Sequence, residues 1–321
     1  MLKKMLCLLA TCLLACLTVY SALAVEEQPY VSALTDEEVP APYDGQHHYL
    51  LLCTDVWHGN PDNLGNTDGI VIVTLDTRAH RIMLTSIIRD ALVIRPDGIV
   101  GRINYIAKNY GPEALCQVIS RHLGIKLEKY ILFDFSQIQN IVDYLGGVEL
   151  TISDAEASYL MRYAISKTST TPAVTGAGTY LFGGHASVIY MRIRKAGGGG
   201  DFMRTQRVRT VLSGLADKCR EISLEDAHNL VDNIMENTTM TNASLDELIE
   251  AADIAFSLKD CTVEELRIPQ DGAYKASNYA NMACQELDWE SARATMDSYL
   301  QSSFLVMNDD EDDLFSLPEA E

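Results

Sequence analysis

The feature that most restricts this chain is a series of short, mainly apolar runs set apart by polar loops: Tyr49-Leu50-Leu51-Leu52-Cys53, Ile70-Val71-Ile72-Val73-Thr74-Leu75, and the stretch Arg81 to Ile87. Runs of this length are too short for free-standing helices and suit strands buried inside a sheet. Tyr130 to Phe133 and Val148 to Ile152 are further strand candidates. Helical signals alternate with them. Pro112 to Leu123 opens on proline at a first-turn position and stops at Gly124. Ser136 to Leu145, with Ser136 as candidate N-cap, stops at Gly146-Gly147. Phe202 to Arg220 is the longest and carries Val208, Val211, Leu212 and Leu215 at helical spacing. Leu224 to Met235 and Leu245 to Phe256 follow, the latter with Ser244 and Glu247 in a capping-box pattern. Strands alternating with helices predict an α/β fold with a single mixed or parallel sheet covered on both faces.

The N-terminus reads separately. Lys3 and Lys4 precede an uncharged apolar run from Met5 to about Val25, long enough for a helix to cross a bilayer. The positive flank keeps that end cytoplasmic, so the domain is expected outside the membrane on a single-pass anchor. Cleavage after Ala24 would instead release a secreted protein, and Leu13-Leu14-Ala15-Cys16 makes only a poor lipobox. Residues 26–47, punctuated by Pro29, Pro40 and Pro42, read as an extracytoplasmic spacer. The catalytic domain is assigned to 48–270, a C-terminal extension to 271–307, and a disordered tail to 308–321, which holds seven acids and no base.

The formal charge of −20 argues against a nucleic-acid binder, which would present a basic face. Positive charge is nevertheless concentrated between Arg192 and Arg209, where six bases meet one acid. Of the eight cysteines, five lie beyond the apolar segment, without metal-ligand spacing. They read as buried single thiols, with a Cys261–Cys284 disulfide as the alternative. Cys53, beside Asp55, reads as a core thiol in preference to a nucleophile.

Asp55 leaves the first apolar run directly and Asp68 stands just before the second. Carboxylates at facing ends of adjacent strands can share one hard cation, and Mg2+ favours such a pair completed by waters and phosphate oxygens, with Mn2+ as a substitute. Asp is also common in turns and caps, which is the plainer reading. Arg89-Asp90 follows the third strand at the sheet rim, where α/β ligands commonly bind; an ordinary rim salt bridge is the alternative. Arg102-Ile103-Asn104 adds a cation and an amide. The strongest local signal runs from Arg192 through Arg194, Lys195 and Gly197-Gly198-Gly199-Gly200 to Asp201, Arg204 and Arg207. Arg192 and Arg194 project to one side of an extended chain, Asp201 can cap the following helix, and Arg204 and Arg207 share a helix face. Guanidiniums gathered in this way repel one another unless an anion lies between them, and their forks match pyrophosphate. A solvated basic face is the bland alternative. The glycine run lacks the Lys-Ser/Thr ending of a nucleotide-binding P-loop.

In order along the chain, Tyr49–Asp55, Asp68–Asp76, Ser86–Asp90, Arg102–Asn104, Asp143–Glu149 and Tyr190–Arg207 together resemble the LytR-CpsA-Psr family of cell-wall glycopolymer ligases. The resemblance implies a central mixed β-sheet sandwiched between helices and an apolar channel for a polyprenyl tail. It implies a phosphotransferase that moves a glycopolymer, such as teichoic acid or capsular polysaccharide, from a polyprenyl-pyrophosphate carrier onto a muramic acid hydroxyl of peptidoglycan. Asp55 and Asp68 match the metal-associated carboxylates. Arg89, Arg192, Arg194, Arg204 and Arg207 match the pyrophosphate-binding arginines, and Arg102 stands where the family usually has lysine. Asp55 or Asp90 is the candidate proton acceptor. Asn66 stands where the family usually has arginine, and Val208 where it has glutamine, which leaves a non-catalytic lipid binder or a lipid pyrophosphatase as alternatives.

Overall fold

A computed structural model describes residues 29–58, 62–162, 174–194, 196, 200–236 and 238–312. The expected membrane segment at 5–25, Lys195, Gly197–Gly199, the side chain of Asp201 and the end of the tail lie outside the described residues. Among the described residues no helix is long and apolar enough to cross a membrane. Everything below concerns the unit from Val31 onward.

The first three apolar runs form β1 (Gln46–Thr54), β2 (Thr67–Asp76) and β3 (Arg81–Ile87), paired antiparallel in sequence order. After the small hairpin β4 (Leu92–Ile94) and β5 (Val100–Arg102) come α1 (Ile106–Tyr110) and α2 (Pro112–Leu123). β6 (Lys129–Phe133) then returns parallel to β1. α3 (Phe135–Tyr144) leads into β7 (Val148–Ile152), α4 (Asp154–Arg162), β8 (Gly178–Phe182) and α5 (Gly184–Met191). The long α6 (Gly200–Cys219) and α7 (Leu224–Glu236) precede β9 (Met240–Thr241), α8 (Leu245–Ser257) and β10 (Thr262–Ile268). The hairpin β11 (Tyr274–Tyr279) and β12 (Met282–Leu287) and the final α9 (Trp289–Asp312) close the chain. The central sheet runs β10-β3-β2-β1-β6-β9 and is mixed, as expected.

Three details differ from the sequence reading. Val148–Ile152 is a strand, but it pairs with β8 in a separate two-stranded sheet, because Glu149 and Thr151 alternate outward and leave only one face to bury. The cap of α3 is Asp134, not Ser136: its carboxylate accepts from the Gln137 backbone N–H at 2.9 Å while Gln137 reaches back to the Asp134 N–H. Cys261 and Cys284 are free thiols in different apolar clusters, so the disulfide alternative is not formed. The Ser244–Glu247 capping box is present.

β1 is buried on alternate residues only. Leu50 and Leu52 enter a dense core with Ile70, Ile72 and Met83 under α2 and α9. The opposite face, bearing Tyr49, Leu51 and Cys53, looks toward α6, α7 and α8 across unfilled apolar space. Close packing is the norm in protein interiors, so a sheet face left unfilled marks room for something else. The C-terminal extension belongs to the dense side: Trp289 is buried, donates its indole N–H to the Leu92 carbonyl at 2.9 Å and packs edge-on against His122.

Candidate functional site

The site forms where β1, β2 and β3 end. A bulge at Cys53/Thr54 turns the chain out of β1, and Asp55 is then held by one neighbour. The Asn66 N–H and side-chain amide donate to its two carboxylate oxygens at 2.7 and 3.1 Å, and its own N–H donates to the Asn66 carbonyl at 2.9 Å. Gly65 makes this closure possible. Its φ is +69°, and a Cβ there would lie 2.7 Å from the Asp55 carboxylate.

Asp68, the second residue of β2, is the electrostatic centre. Arg89, two residues past β3, donates to one of its oxygens at 2.6 Å. Arg204 from α6 donates to the other at 2.7 Å and to the Asp68 carbonyl at 3.1 Å, and Arg194 approaches at 3.4 Å. Asp90 faces Arg102 in direct contact and Arg89 at 3.6 Å. Arg192 caps the C-terminus of α5 and lies 4.6 Å over the Phe135 ring. α5 is itself fixed by the Asp143–Gly147 stretch, because the Asp143 carboxylate accepts from the Gly184 N–H at 2.7 Å. Asp55, Asp68, Asp90, Arg89, Arg102, Arg192, Arg194 and Arg204 are thus brought to one end of the sheet. Five guanidiniums against three carboxylates leave a net charge of about +2, which suits a polyanion.

Arg207, expected with the other arginines, lies behind the site and not in it. It is 1% exposed, and it donates to Glu156 at 2.6 Å and to the carbonyls of Ile193 and Ala196 at 2.7 and 3.1 Å. Burial alone would raise the Glu156 carboxyl, but hydrogen bonds from Ser153 and Arg207 outweigh it and hold the group below the usual range. Arg207 is therefore a strut that holds the segment carrying Arg192 and Arg194. The i, i+3 spacing placed Arg204 and Arg207 on neighbouring helix positions; it carried no signal for Glu156, a partner from a distant segment. Val208 faces apolar space, consistent with its chemistry.

Behind the charges opens a cavity of about 250 Å³ between the free face of β1 and α6. Asp68, Arg192 and Arg204 line one end; Leu51, Phe133, Ile138, Val211 and Leu215 line the rest. It adjoins a second cavity of about 320 Å³ across Leu212, Ala216 and Cys219. Cys53 lines the first, and burial, reinforced by the Asp68 charge, pushes its thiol well above the ordinary range, so it is no ready nucleophile. An apolar channel ending in guanidiniums accommodates an amphiphile with an anionic head.

Among the described residues no three His, Cys, Asp or Glu side chains are gathered as a metal cluster. Asp55 and Asp68 nonetheless offer the hard oxygens that Mg2+ or Mn2+ accepts. Asp68 is already engaged by guanidiniums and Asp55 by Asn66, so a cation here would have to arrive with an anion whose oxygens give the arginines competing acceptors.

The LytR_cpsA_psr family pattern matches residues 15–296. The chain belongs to this family. TagT of Bacillus subtilis, a polyisoprenyl-teichoic acid–peptidoglycan teichoic acid transferase, is 27% identical over 222 residues, or 68% of this chain and 66% of TagT. TagV of the same organism carries the same transferase description and is 23% identical over 225 residues, 67% of this chain and 54% of TagV. The LytR-CpsA-Psr chain thus spans about two thirds or less of these relatives. Among solved structures, TagT bound to LIIa-WTA superposes with a TM-score of 0.65 at 23% identity, covering 88% of this chain and 98% of that one. The family protein YwtF (TagT) with bound octaprenyl pyrophosphate lipid gives 0.60 at 21% identity, covering 85% and 99%. These likenesses establish the LytR-CpsA-Psr fold.

Proposed function

We propose that this protein is a phosphotransferase that moves a glycopolymer from a polyprenyl-pyrophosphate carrier to a hydroxyl of peptidoglycan. The observation that carries the proposal is the apolar channel that ends at Asp68, Arg192 and Arg204. A polyprenyl diphosphate has the same two-part character, and the relatives are named as transferases of lipid-linked teichoic acid. On this reading the tail enters the channel, which excludes water from it. Arg89, Arg102, Arg192, Arg194 and Arg204 neutralise the diphosphate and fix its orientation, the main requirement of phosphoryl transfer. Mg2+, held by Asp55 and Asp68, would add charge neutralisation at the phosphate oxygens. Asp55 or Asp90 would accept the proton of the incoming hydroxyl. The Asp55 carboxylate is held by the Asn66 N–H and side-chain amide, and Asp90 faces Arg89 and Arg102. The family's usual setting implies an extracytoplasmic domain anchored at the membrane.

A second reading rests on Asn66 and Val208. Asn66 occupies both oxygens of Asp55, and Val208 turns an apolar side chain to the channel, so the chain would hold the lipid without transferring the polymer. Incubating the protein with Mg2+, a lipid-diphosphate-linked glycan and peptidoglycan oligomers separates the two. Transfer yields glycan-bearing peptidoglycan and polyprenyl phosphate. Bound lipid without turnover rejects the enzyme, and free glycan phosphate in place of the conjugate identifies hydrolysis.

A further inference from the structure

The amphiphile proposed above has a third part, the sugar joined to its diphosphate, and this inference rests on that reading. We propose that Trp57 forms the stacking platform of a pyranose subsite for the first sugar of the donor, immediately outside the arginine cluster. The chain has two tryptophans. Trp289 is 2% exposed and hydrogen-bonded in the core, whereas Trp57 is 40% exposed, two residues beyond Asp55 on the loop that leaves β1. An indole combines an apolar face with a polar edge, the character enriched at recognition surfaces.

Its placement defines the occupant. The Trp57 ring packs on Phe135 with centroids 5.6 Å apart and planes tilted by 59°, and the Phe135 N–H donates to the Val56 carbonyl at 3.2 Å. Phe135 also carries the Arg192 guanidinium over its ring and lines the channel. Channel, Phe135 with Arg192, and Trp57 therefore follow one another outward. A linear ligand with its tail in the channel and its diphosphate among the arginines presents its sugar on the Trp57 side. A pyranose has one face of C–H bonds and an edge of hydroxyls. The indole face would meet the first, and His185, whose ring centroid lies 6.3 Å from that of Trp57, is the imidazole beside it available to the second. A lone indole between an imidazole and arginines is too small and too polar a patch for a membrane or a folded partner.

The test uses the full chain in detergent, with octaprenyl diphosphate and the same lipid bearing one N-acetylglucosamine as probes. Dissociation constants are measured for wild type, Trp57→Ala and Trp57→Tyr, with tryptophan emission as a second readout. Wild type is expected to bind the glycosylated lipid roughly three- to tenfold tighter than the bare one, the scale of a good aromatic contact. Trp57→Ala should erase that advantage while leaving the bare lipid unaffected, and Trp57→Tyr should restore most of it. Emission should shift only with the sugar-bearing lipid. Equal binding of both lipids by wild type, or an unchanged preference in Trp57→Ala, overturns the subsite and leaves the lipid-diphosphate reading intact. If wild type binds neither lipid, that underlying reading falls and the subsite with it.

Discussion

Replacing Asp68 by asparagine removes the carboxylate on which three guanidiniums converge and leaves a side chain of nearly the same shape. Asp68 is 12% exposed at its side chain and Arg204 only 4%, so the Arg204–Asp68 pair at 2.7 Å is effectively buried. Arg89 at 2.6 Å is almost as enclosed, while Arg194, at 3.4 Å and 54% exposed, contributes little after solvent screening. Deleting one partner of a buried pair costs about 3–5 kcal/mol, because the surviving charge loses its counter-ion. The amide oxygen keeps one acceptor, which places the expected cost near 3 kcal/mol, or a fall of about 5 °C in melting temperature for a chain of this size. The variant has one more net positive charge in the site, so an added polyanion should repair it. Thermal melts of wild type and Asp68→Asn, without and with inorganic pyrophosphate, measure both effects. Pyrophosphate should stabilise the variant more than wild type and recover most of the loss. An unchanged melting temperature, or a loss that pyrophosphate does not reverse, would refute the view that these arginines are held together by negative charge.

Ala216 stands where the two cavities adjoin, so Ala216→Phe should weaken binding of a long polyprenyl diphosphate at least about fivefold while leaving inorganic pyrophosphate binding alone; the penalty of overfilling an apolar site is about 1–3 kcal/mol. Calorimetry with both ligands checks this, and equal effects on the two would remove the channel from the tail's path. Stability should also fall in mild acid. Burial pushes the imidazoles of His48 and His122 down to about 4, so both are neutral in the folded protein, and His122 accepts from the Ile94 N–H while donating to the Val118 carbonyl. Their folded pKa lies below the unfolded one, so their contribution is complete above about pH 6.5 and is lost as pH falls toward 4, amounting to about 2 kcal/mol per histidine at pH 5. Chemical denaturation at pH 7.5 and 5 should show that loss, and His122→Gln should reduce its pH dependence; an identical slope in the variant counts against the assignment.

The strands that build the site were readable because each is a short apolar run with a charged residue at one end, as at Asp55, Asp68 and Arg89. Arg192, Arg194 and Arg204 were readable from charge density, which also drew in the buried Arg207 and left out Arg89 and Arg102. Less of the rest was visible. The hairpin β11–β12 has no apolar run, since Lys275, Ser277 and Asn278 interrupt it, yet the Gln285 N–H donates to the Asp90 carbonyl at 2.9 Å and ties the C-terminal extension to the site. The channel was expected only through family resemblance. Its walls are residues such as Leu51, Leu212 and Ile234, which look like core in any pattern; their distinction is what fails to pack against them. Asp68 gave a carboxylate in sequence and not its three partners, which come from separate segments. Trp57 and Phe135 carried no periodic signal at all.

α6 is a 20-residue helix, about 30 Å of rigid rod, with Arg204 in its first turns and Leu212, Ala216 and Cys219 further along the same body. On the proposed function, head and tail of the lipid-linked donor would therefore meet a single piece of the protein. A diphosphate arriving without a lipid touches only one end of that rod, and a lipid arriving without a diphosphate touches only the other. Discrimination between a membrane-borne donor and a soluble sugar phosphate then needs no second domain: it is a matter of whether both ends of one lever are loaded at once.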